Sequence, residues 1–250
     1  EEYQEINYKI DQIFSEIKQL EEERLKEKLR ANEAQLQYYQ LQTDPHFYLN
    51  CLNTISTLLQ NEKKEVANDM IIALSGHFRY MFRKSRSLVL LKEELEEVQD
   101  YCRIYNIRNG IPLLVDMDVS KSEMLCKVPI LCIQTFVENA IKYYGKNGQM
   151  LQVRIQIRRI KKEDKKEFLK IRITDNGVGY TKENLDEFNK PVDKFVYKSS
   201  HVGIDNLKYR FKLIFENEAD IYFYNAPYSG AVVEMTIPVK EDDSDENINN

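Results

Sequence analysis

The sequence lacks any run approaching about 18 consecutive uncharged apolar residues, so we predict no helix that crosses a membrane. No signal-peptide pattern is visible in these residues, which open with Glu1 and Glu2 and soon take on a helical pattern. We therefore expect these residues to be a fragment cut from a longer protein.

A strong excess of one charge is missing too. Because 36 basic residues oppose 41 acidic ones, the net charge of −5 gives no reason to expect nucleic acid as a partner. Cysteine is scarce, no CxxC pair occurs, and each cysteine stands among apolar residues: Cys51, Cys102, Cys126 and Cys132. This usage predicts reduced core thiols in a cytoplasmic protein rather than metal ligands or nucleophiles.

Glycine and proline are absent from the first 40 residues, where apolar residues recur at alternating spacings of four and three. This coiled-coil seam contains Ile6, Ile10, Ile13, Ile17 and Leu20. The seam resumes at Leu25 with a shift of one residue, which indicates two helical modules joined end to end. An uninterrupted dimer stalk is the alternative. In either case, residues 1–40 are predicted to form a signalling coiled coil.

Residues 41–108 are predicted to form dimerising helices. A helical pattern runs through Pro45, a short connection at 61–64 implies a helix hairpin, and a third helix follows over 92–108. Two such hairpins, one from each copy of the chain, make a four-helix bundle.

Beyond Asn109 and Gly110 the pattern becomes that of an α+β domain. Strands are predicted at 113–119 and on either side of the turns at 161–167 and 227–230, and helices at 128–145 and 203–215. Pro129 falls in the first turn of the earlier helix. Together these elements predict a two-layer α+β sandwich over 109–239, whereas 240–250 is predicted to be a disordered acidic tail.

Four short motifs occur in order within this domain: ENAIK at 138–142, DNGVG at 175–179, HVGIDN at 201–206 and GAVVEMTIP at 230–238. Walker A, HRD and HExxH motifs are absent. The ordered set resembles the GHKL ATP-binding fold, an α/β sandwich that histidine kinases share with gyrase-type ATPases. This resemblance covers residues 110–239 and implies ATP and Mg²⁺ as cofactors.

The resemblance also implies roles for individual residues. Asn139 is implied to hold Mg²⁺, and Lys142, nearly one turn later, to contact phosphate as a point charge. Asp175 is implied to accept the adenine amino group, while Gly177 and Gly179 let the backbone approach the base and sugar.

Gly203 and Asn206 are implied to lie where backbone N–H groups face phosphate at a helix start. Lys208 and Arg210 are nearby basic candidates, for which a solvated helix face is an equal alternative. The segment 180–200 is implied to be a mobile lid over ATP.

A second resemblance lies in the helical region. PHFYLNCLNTI at 45–55 resembles the histidine box of LytS/YesM-type sensor histidine kinases, and VPILCIQTFVENAIK at 128–142 is similar to a helix of the same family. With these motifs the resemblance extends over 41–239. It implies that His46 takes the γ-phosphoryl group of ATP and passes it to an aspartate of a response regulator receiver domain. Asn50 is a candidate to orient the histidine ring.

The family resemblance further implies a homodimer. The spacing of Glu2, Ile6, Ile10, Asp11 and Ile13 is similar to the last helix of a HAMP signal-relay module. On this basis the chain is the cytoplasmic portion of a bacterial plasma-membrane receptor, which reaches the membrane only through upstream segments.

The sequence offers several candidates for the general base that would act on His46. Other histidine-kinase classes place an acid directly after the histidine, where this chain has Phe47. Asp44, Glu138 and solvent are the remaining candidates.

Two other functions compete with an active kinase. A catalytically weak or inactive signalling scaffold is favoured by Asp44, which replaces the family's asparagine, and by the glycine-poor loop before Gly203. A gyrase- or chaperone-type ATPase needs a glutamate four residues before Asn139, where this chain has Thr135.

Overall fold

The computed structural model describes residues 45–81, 87–110, 112–144, 150–162, 166–191, 202–216 and 218–239. All of them fall in one compact unit. The predicted stalk at 1–40, its HAMP-like end, Asp44 and the acidic tail at 240–250 lie outside these residues. No helix within the described ranges is long and apolar enough to cross a membrane.

Within these ranges the chain alternates between helices and strands. The helices are α1 (Pro45–Gln60), α2 (Lys64–Met81), α3 (Leu91–Asn109), α4 (Gln134–Tyr143), α5 (Lys182–Phe188) and α6 (Val202–Phe215). The strands are β1 (Leu88–Leu90), β2 (Leu113–Asp118), β3 (Lys127–Pro129), β4 (Leu151–Lys161), β5 (Glu167–Asp175), β6 (Asp220–Asn225) and β7 (Ala231–Pro238).

Helices α1 and α2 form the predicted hairpin, and α3 packs against both of them. Apolar side chains from the three helices share a buried cluster: Cys51, Ile55, Met70, Ala73, Leu74 and Ile104. Helix α3 ends where Gly110 adopts a left-handed conformation with φ of 65° and donates its N–H to the carbonyl of Asn106. The helix predicted over 92–108 is confirmed, with one more residue at each end.

The second layer is a five-stranded sheet in the order β2-β4-β5-β7-β6. Only the β2–β4 pairing is parallel, and the other three are antiparallel. Along β4 the side chains of Val153, Ile155 and Ile157 are buried because they alternate toward the helices. Helices α4 and α6 cover this face, so the predicted two-layer α+β sandwich is confirmed.

The start of the helix predicted at 128–145 was wrong. Residues Lys127–Pro129 instead form β3, which pairs antiparallel with the short strand β1, and the helix begins only at Gln134. Leu131 has a φ of 61°, which a continuous right-handed helix does not allow. Strand β1 spans three residues, too few to show an alternating pattern, so the sequence did not predict it. Its pairing with β3 holds Pro129 in extended backbone.

Candidate active site

A cavity of about 190 Å³ opens between α4, the loop after β5, α5 and the start of α6. Asn139 contributes to its wall from α4, and Asp175 from the end of β5. Gly177 and Gly179 line it from the following loop. The structure thus brings together four of the predicted nucleotide-binding residues, although 36 positions separate Asn139 from Asp175 in the sequence.

Asp175 is held by the backbone around it. Its Oδ1 accepts the N–H of Gly177 at 2.8 Å and the N–H of Ala231 at 3.1 Å. Burial raises the pKa of this carboxyl, and the two N–H bonds act in the opposite direction. Both bonds end on Oδ1, and Oδ2 has no hydrogen-bond partner among the described residues. Oδ2 can therefore accept a hydrogen bond from an amino group.

Gly230 makes this cradle possible and was missed by the sequence analysis as a site residue. Its φ is 100°, and a Cβ there would lie 1.8 Å from the carbonyl oxygen of Asp175. Any other residue would push the start of β7 away from Asp175. The motif GAVVEMTIP begins at this glycine, so the sequence contained the signal, but the contact with Asp175 that requires glycine is visible only in the structure.

Gly179 is constrained by Asn225, a second residue that the sequence analysis missed. The φ of Gly179 is 80°, and a Cβ there would lie 2.7 Å from Oδ1 of Asn225. The same amide accepts the N–H of Tyr180 at 2.7 Å and donates to the Tyr180 carbonyl at 2.9 Å. The end of β6 therefore fixes the loop that lines the cavity.

The other end of the predicted nucleotide site is less complete. Nδ2 of Asn139 and Oδ1 of Asn206 are buried and have no partner within the described part of the chain. Gly203 lies exposed in the first turn of α6, and Lys142 is exposed on α4. The described wall of the cavity does not include Lys142, Gly203 or Asn206.

The residues present fit a nucleotide with Mg²⁺. A buried amide nitrogen without a hydrogen-bond partner is costly, and Nδ2 of Asn139 is such an atom. The same side chain carries an amide oxygen, the kind of ligand that Mg²⁺ prefers. The carboxylate of Asp175 suits the donor edge of adenine.

The two basic candidates on α6 have structural roles. Lys208 donates to the carbonyl of Phe188 at 2.6 Å and also to that of Lys190, so it caps the end of α5. Arg210 is buried and donates to the carbonyl of Ile130 at 2.5 Å. Both side chains are therefore engaged with backbone carbonyls rather than forming a solvated face.

His46 is exposed near the start of α1, and Asn50 lies one turn further along. Nδ1 of His46 is 3.0 Å from Nδ2 of Asn50. The next side chain, Phe47, points inward and stacks on Tyr101 of α3 at a ring distance of 5.6 Å. His46 therefore faces solvent, while the residue that follows it, Phe47, is packed against α3.

Glu138 lies on α4 directly before Asn139. Its side chain still reaches solvent, and its Oε1 accepts a hydrogen bond from Gln134 at 2.7 Å. Desolvation by the surrounding groups raises its pKa, while Gln134 and His77 oppose the shift. Burial raises the pKa of Tyr101, and the charge of Glu138 raises it further.

Comparison with known proteins assigns this arrangement. Residues 34–113 match the family model described as Histidine kinase, and residues 129–241 match the one described as Histidine kinase-, DNA gyrase B-, and HSP90-like ATPase. The chain belongs to the histidine kinase family. Its sandwich is the GHKL-type ATP-binding domain of that family, and the resemblance seen in the sequence motifs is confirmed.

Several curated histidine kinases are similar to nearly the whole chain. An uncharacterized sensor-like histidine kinase of Staphylococcus epidermidis is 29% identical over 95% of this chain and 45% of its own length. The sensor protein LytS of Enterococcus faecalis is 29% identical over 95% and 39%. The sensor protein kinase HptS of Staphylococcus aureus is 25% identical over 98% and 46%. The chain therefore spans less than half the length of these relatives.

Proposed function

We propose that this chain is the kinase portion of a sensor histidine kinase in a two-component system. The observation that carries the proposal is the single cavity in which Asn139, Asp175, Gly177 and Gly179 converge. In the proposed reaction ATP phosphorylates His46, and the phosphoryl group then passes to an aspartate of a response regulator. The proposed location is the cytoplasmic side of a bacterial plasma membrane, as part of a receptor with further upstream segments.

The proposed domain boundaries follow the two matched regions. Residues 41–108 form the dimerisation and phosphotransfer helices, and 109–239 form the catalytic domain. The family matches at 34–113 and 129–241 support this division. Residues 1–40 form the proposed signalling stalk, and 240–250 form the tail.

In the proposed first step, a ring nitrogen of His46 forms a bond to the γ-phosphorus of ATP. The bond from that phosphorus to the bridging oxygen breaks, and its electron pair leaves with ADP. Asn139 would hold Mg²⁺, which supplies charge neutralisation on the phosphates when it is bound. Lys142, Gly203 and Asn206 are proposed as phosphate contacts.

Asn50 is proposed to select the reactive ring nitrogen. If its amide presents oxygen to Nδ1, the ring proton stays there and Nε2 keeps the lone pair that attacks phosphorus. An amide that presents nitrogen places the proton on Nε2 instead, where it would block attack. The contact at 3.0 Å allows either orientation, and the reaction requires the first.

Glu138 is proposed as the base that takes the ring proton, ahead of Asp44 and solvent. A base must be deprotonated to act, so the autophosphorylation rate is expected to fall as pH drops through the raised pKa of Glu138. Glu138→Gln should lower the rate about 100-fold at neutral pH and remove that limb of the pH profile. Single-turnover rates measured from pH 5 to 9 test this, with Glu187→Gln, an exposed acid on α5, as the control. A variant profile identical to wild type would leave solvent or Asp44 as the base.

The helix hairpin exposes an apolar face that we propose is covered by a second copy of the chain. Leu49, Leu52 and Leu59 of α1 are 59%, 58% and 50% exposed. Such side chains, recurring on one helical face, fit the proposed four-helix bundle.

Because a two-fold interface contains every substitution twice, Leu52→Glu is expected to weaken dimerisation at least about tenfold. Sedimentation equilibrium over a range of concentrations measures this change, and Gln152→Glu, at an exposed position of β4 outside the hairpin, is the control. Equal dimer affinities for both variants would show that the face lies outside the interface.

The proposed function is tested with ATP labelled in the γ-phosphoryl group. The protein should acquire label that is lost in acid, as expected for a phosphorus–nitrogen bond, and should transfer it to a purified receiver domain. ATP labelled in the α-phosphoryl group is the control and should leave the protein unlabelled. Tight binding of a Mg–ATP analogue without any labelling would instead support the catalytically inactive scaffold.

A further inference from the structure

Two buried polar pairs connect helices α2 and α3. His77 is hydrogen-bonded through Nδ1 to Glu97, and the hydroxyl of Tyr80 donates to Glu94. The exposed fractions of His77, Tyr80, Glu94 and Glu97 are 3%, 6%, 0% and 3%. Since the partners are three residues apart on each helix and run in opposite directions, they form two consecutive rungs, which we call the polar ladder.

The first rung reaches α1, the helix that carries His46. Nε2 of His77 lies 3.4 Å from the hydroxyl oxygen of Tyr48, within hydrogen-bond reach, while Nδ1 faces Glu97. The ring of Phe47 lies 5.8 Å from the ring of His77. The two residues that follow His46 therefore both pack on this rung.

The second rung reaches α4, the helix that carries Asn139. The carboxylate of Glu94 accepts the N–H groups of Leu131 at 2.8 Å, Ile133 at 2.9 Å and Gln134 at 3.3 Å. The first N–H groups of a helix have no partner within it, so Glu94 acts as the cap of α4 from another element. Glu94 thereby joins the hairpin to the first turn of the helix that lines the cavity.

We propose that the polar ladder positions the helix bearing His46 relative to the helix bearing Asn139 and so sets the rate of phosphoryl transfer. Buried hydrogen-bonded pairs tolerate few alternative arrangements, because a shift leaves charged or polar groups without partners. In-line attack is sensitive to displacements of about 1 Å. The four side chains are positioning residues, and this role rests on the proposed kinase function.

The sharpest test separates nucleotide binding from transfer. Tyr80→Phe removes only the hydroxyl that joins α2 to Glu94, while the three backbone bonds from Glu94 to α4 remain. We expect the autophosphorylation rate at saturating ATP to fall about tenfold and the affinity for a Mg–ATP analogue to change less than about twofold. Tyr105→Phe on α3 is the matched control, since no hydrogen bond from its hydroxyl occurs within the described residues.

A double-mutant cycle shows whether the pair acts as one unit. If it does, Tyr80→Phe combined with Glu94→Gln should slow transfer no further than Glu94→Gln alone. A rate within twofold of wild type in Tyr80→Phe would overturn the proposal. So would an increased rate, or a loss of nucleotide affinity in parallel with the rate.

Amide hydrogen exchange tests the ladder without nucleotide. Glu94→Gln should speed exchange across Leu131–Gln134, because the glutamine amide has one acceptor oxygen where the carboxylate has two. Tyr105→Phe should leave it unchanged. If the wild-type protein neither binds ATP nor transfers phosphate, the proposed function is wrong, but the exchange experiment still tests the polar ladder. Unchanged exchange in Glu94→Gln would refute the polar ladder.

Discussion

Replacing His46 by glutamine is expected to abolish labelling of the protein by γ-labelled ATP. Glutamine is polar and similar in length, but it has no nucleophilic ring nitrogen that can bond to phosphorus. His46 is exposed in the first turn of α1, so the substitution should leave the fold unaffected. Label measured after gel separation should therefore fall to background, while the affinity for a Mg–ATP analogue and the melting temperature stay at wild-type values.

The matched control for this experiment is Gln60→Ala, an exposed position on the same helix, which should retain full labelling. Persistent label in His46→Gln would assign the phosphoacceptor to another residue. Loss of both label and nucleotide binding would instead indicate that the substitution disturbs the fold.

Asp175→Asn is expected to weaken binding of a Mg–ATP analogue about 1,000-fold. The neutral amide has one acceptor oxygen, and two backbone N–H groups already occupy that position in the wild-type carboxylate. The amide nitrogen then faces the adenine amino group, so two donors oppose each other and one hydrogen bond to a charged group is lost. Isothermal titration calorimetry measures the change directly.

Stability provides the control for this second substitution. Burial raises the pKa of Asp175, so the ionised form is disfavoured there and a neutral amide of the same shape should not unfold the protein. Asp220→Asn, an exposed acid at the start of β6, should bind the analogue as wild type does. Unchanged affinity in Asp175→Asn would remove this residue from the proposed adenine contact.

Local sequence signals predicted one wall of the cavity well. Asp175, Gly177 and Gly179 lie within five consecutive residues, so their relative positions follow from a strand end and a tight loop. The helix hairpin was predicted for a similar reason, because the short connection after α1 requires α2 to pack antiparallel beside it. Such features depend on interactions between near neighbours in the chain.

The start of α4 could not be predicted in this way. Its apolar residues fit a helix from 128 onward, yet the pairing of β1 with β3 holds Pro129 in a strand. The roles of Gly230 and Asn225 were hidden as well, because each depends on contact with a segment about 45 or more residues earlier in the chain.

The periodicity and motifs of the chain were sufficient to predict the helix hairpin, the sandwich and the family, and to select the residues that we propose bind the nucleotide. The three-dimensional packing alone decided that Lys208 and Arg210 bond to backbone carbonyls, that Glu94 caps α4, and that His77 is paired with Glu97. The physical reason is that a buried polar side chain must find a partner, and that partner is set by which elements pack together rather than by the residues beside it in the sequence.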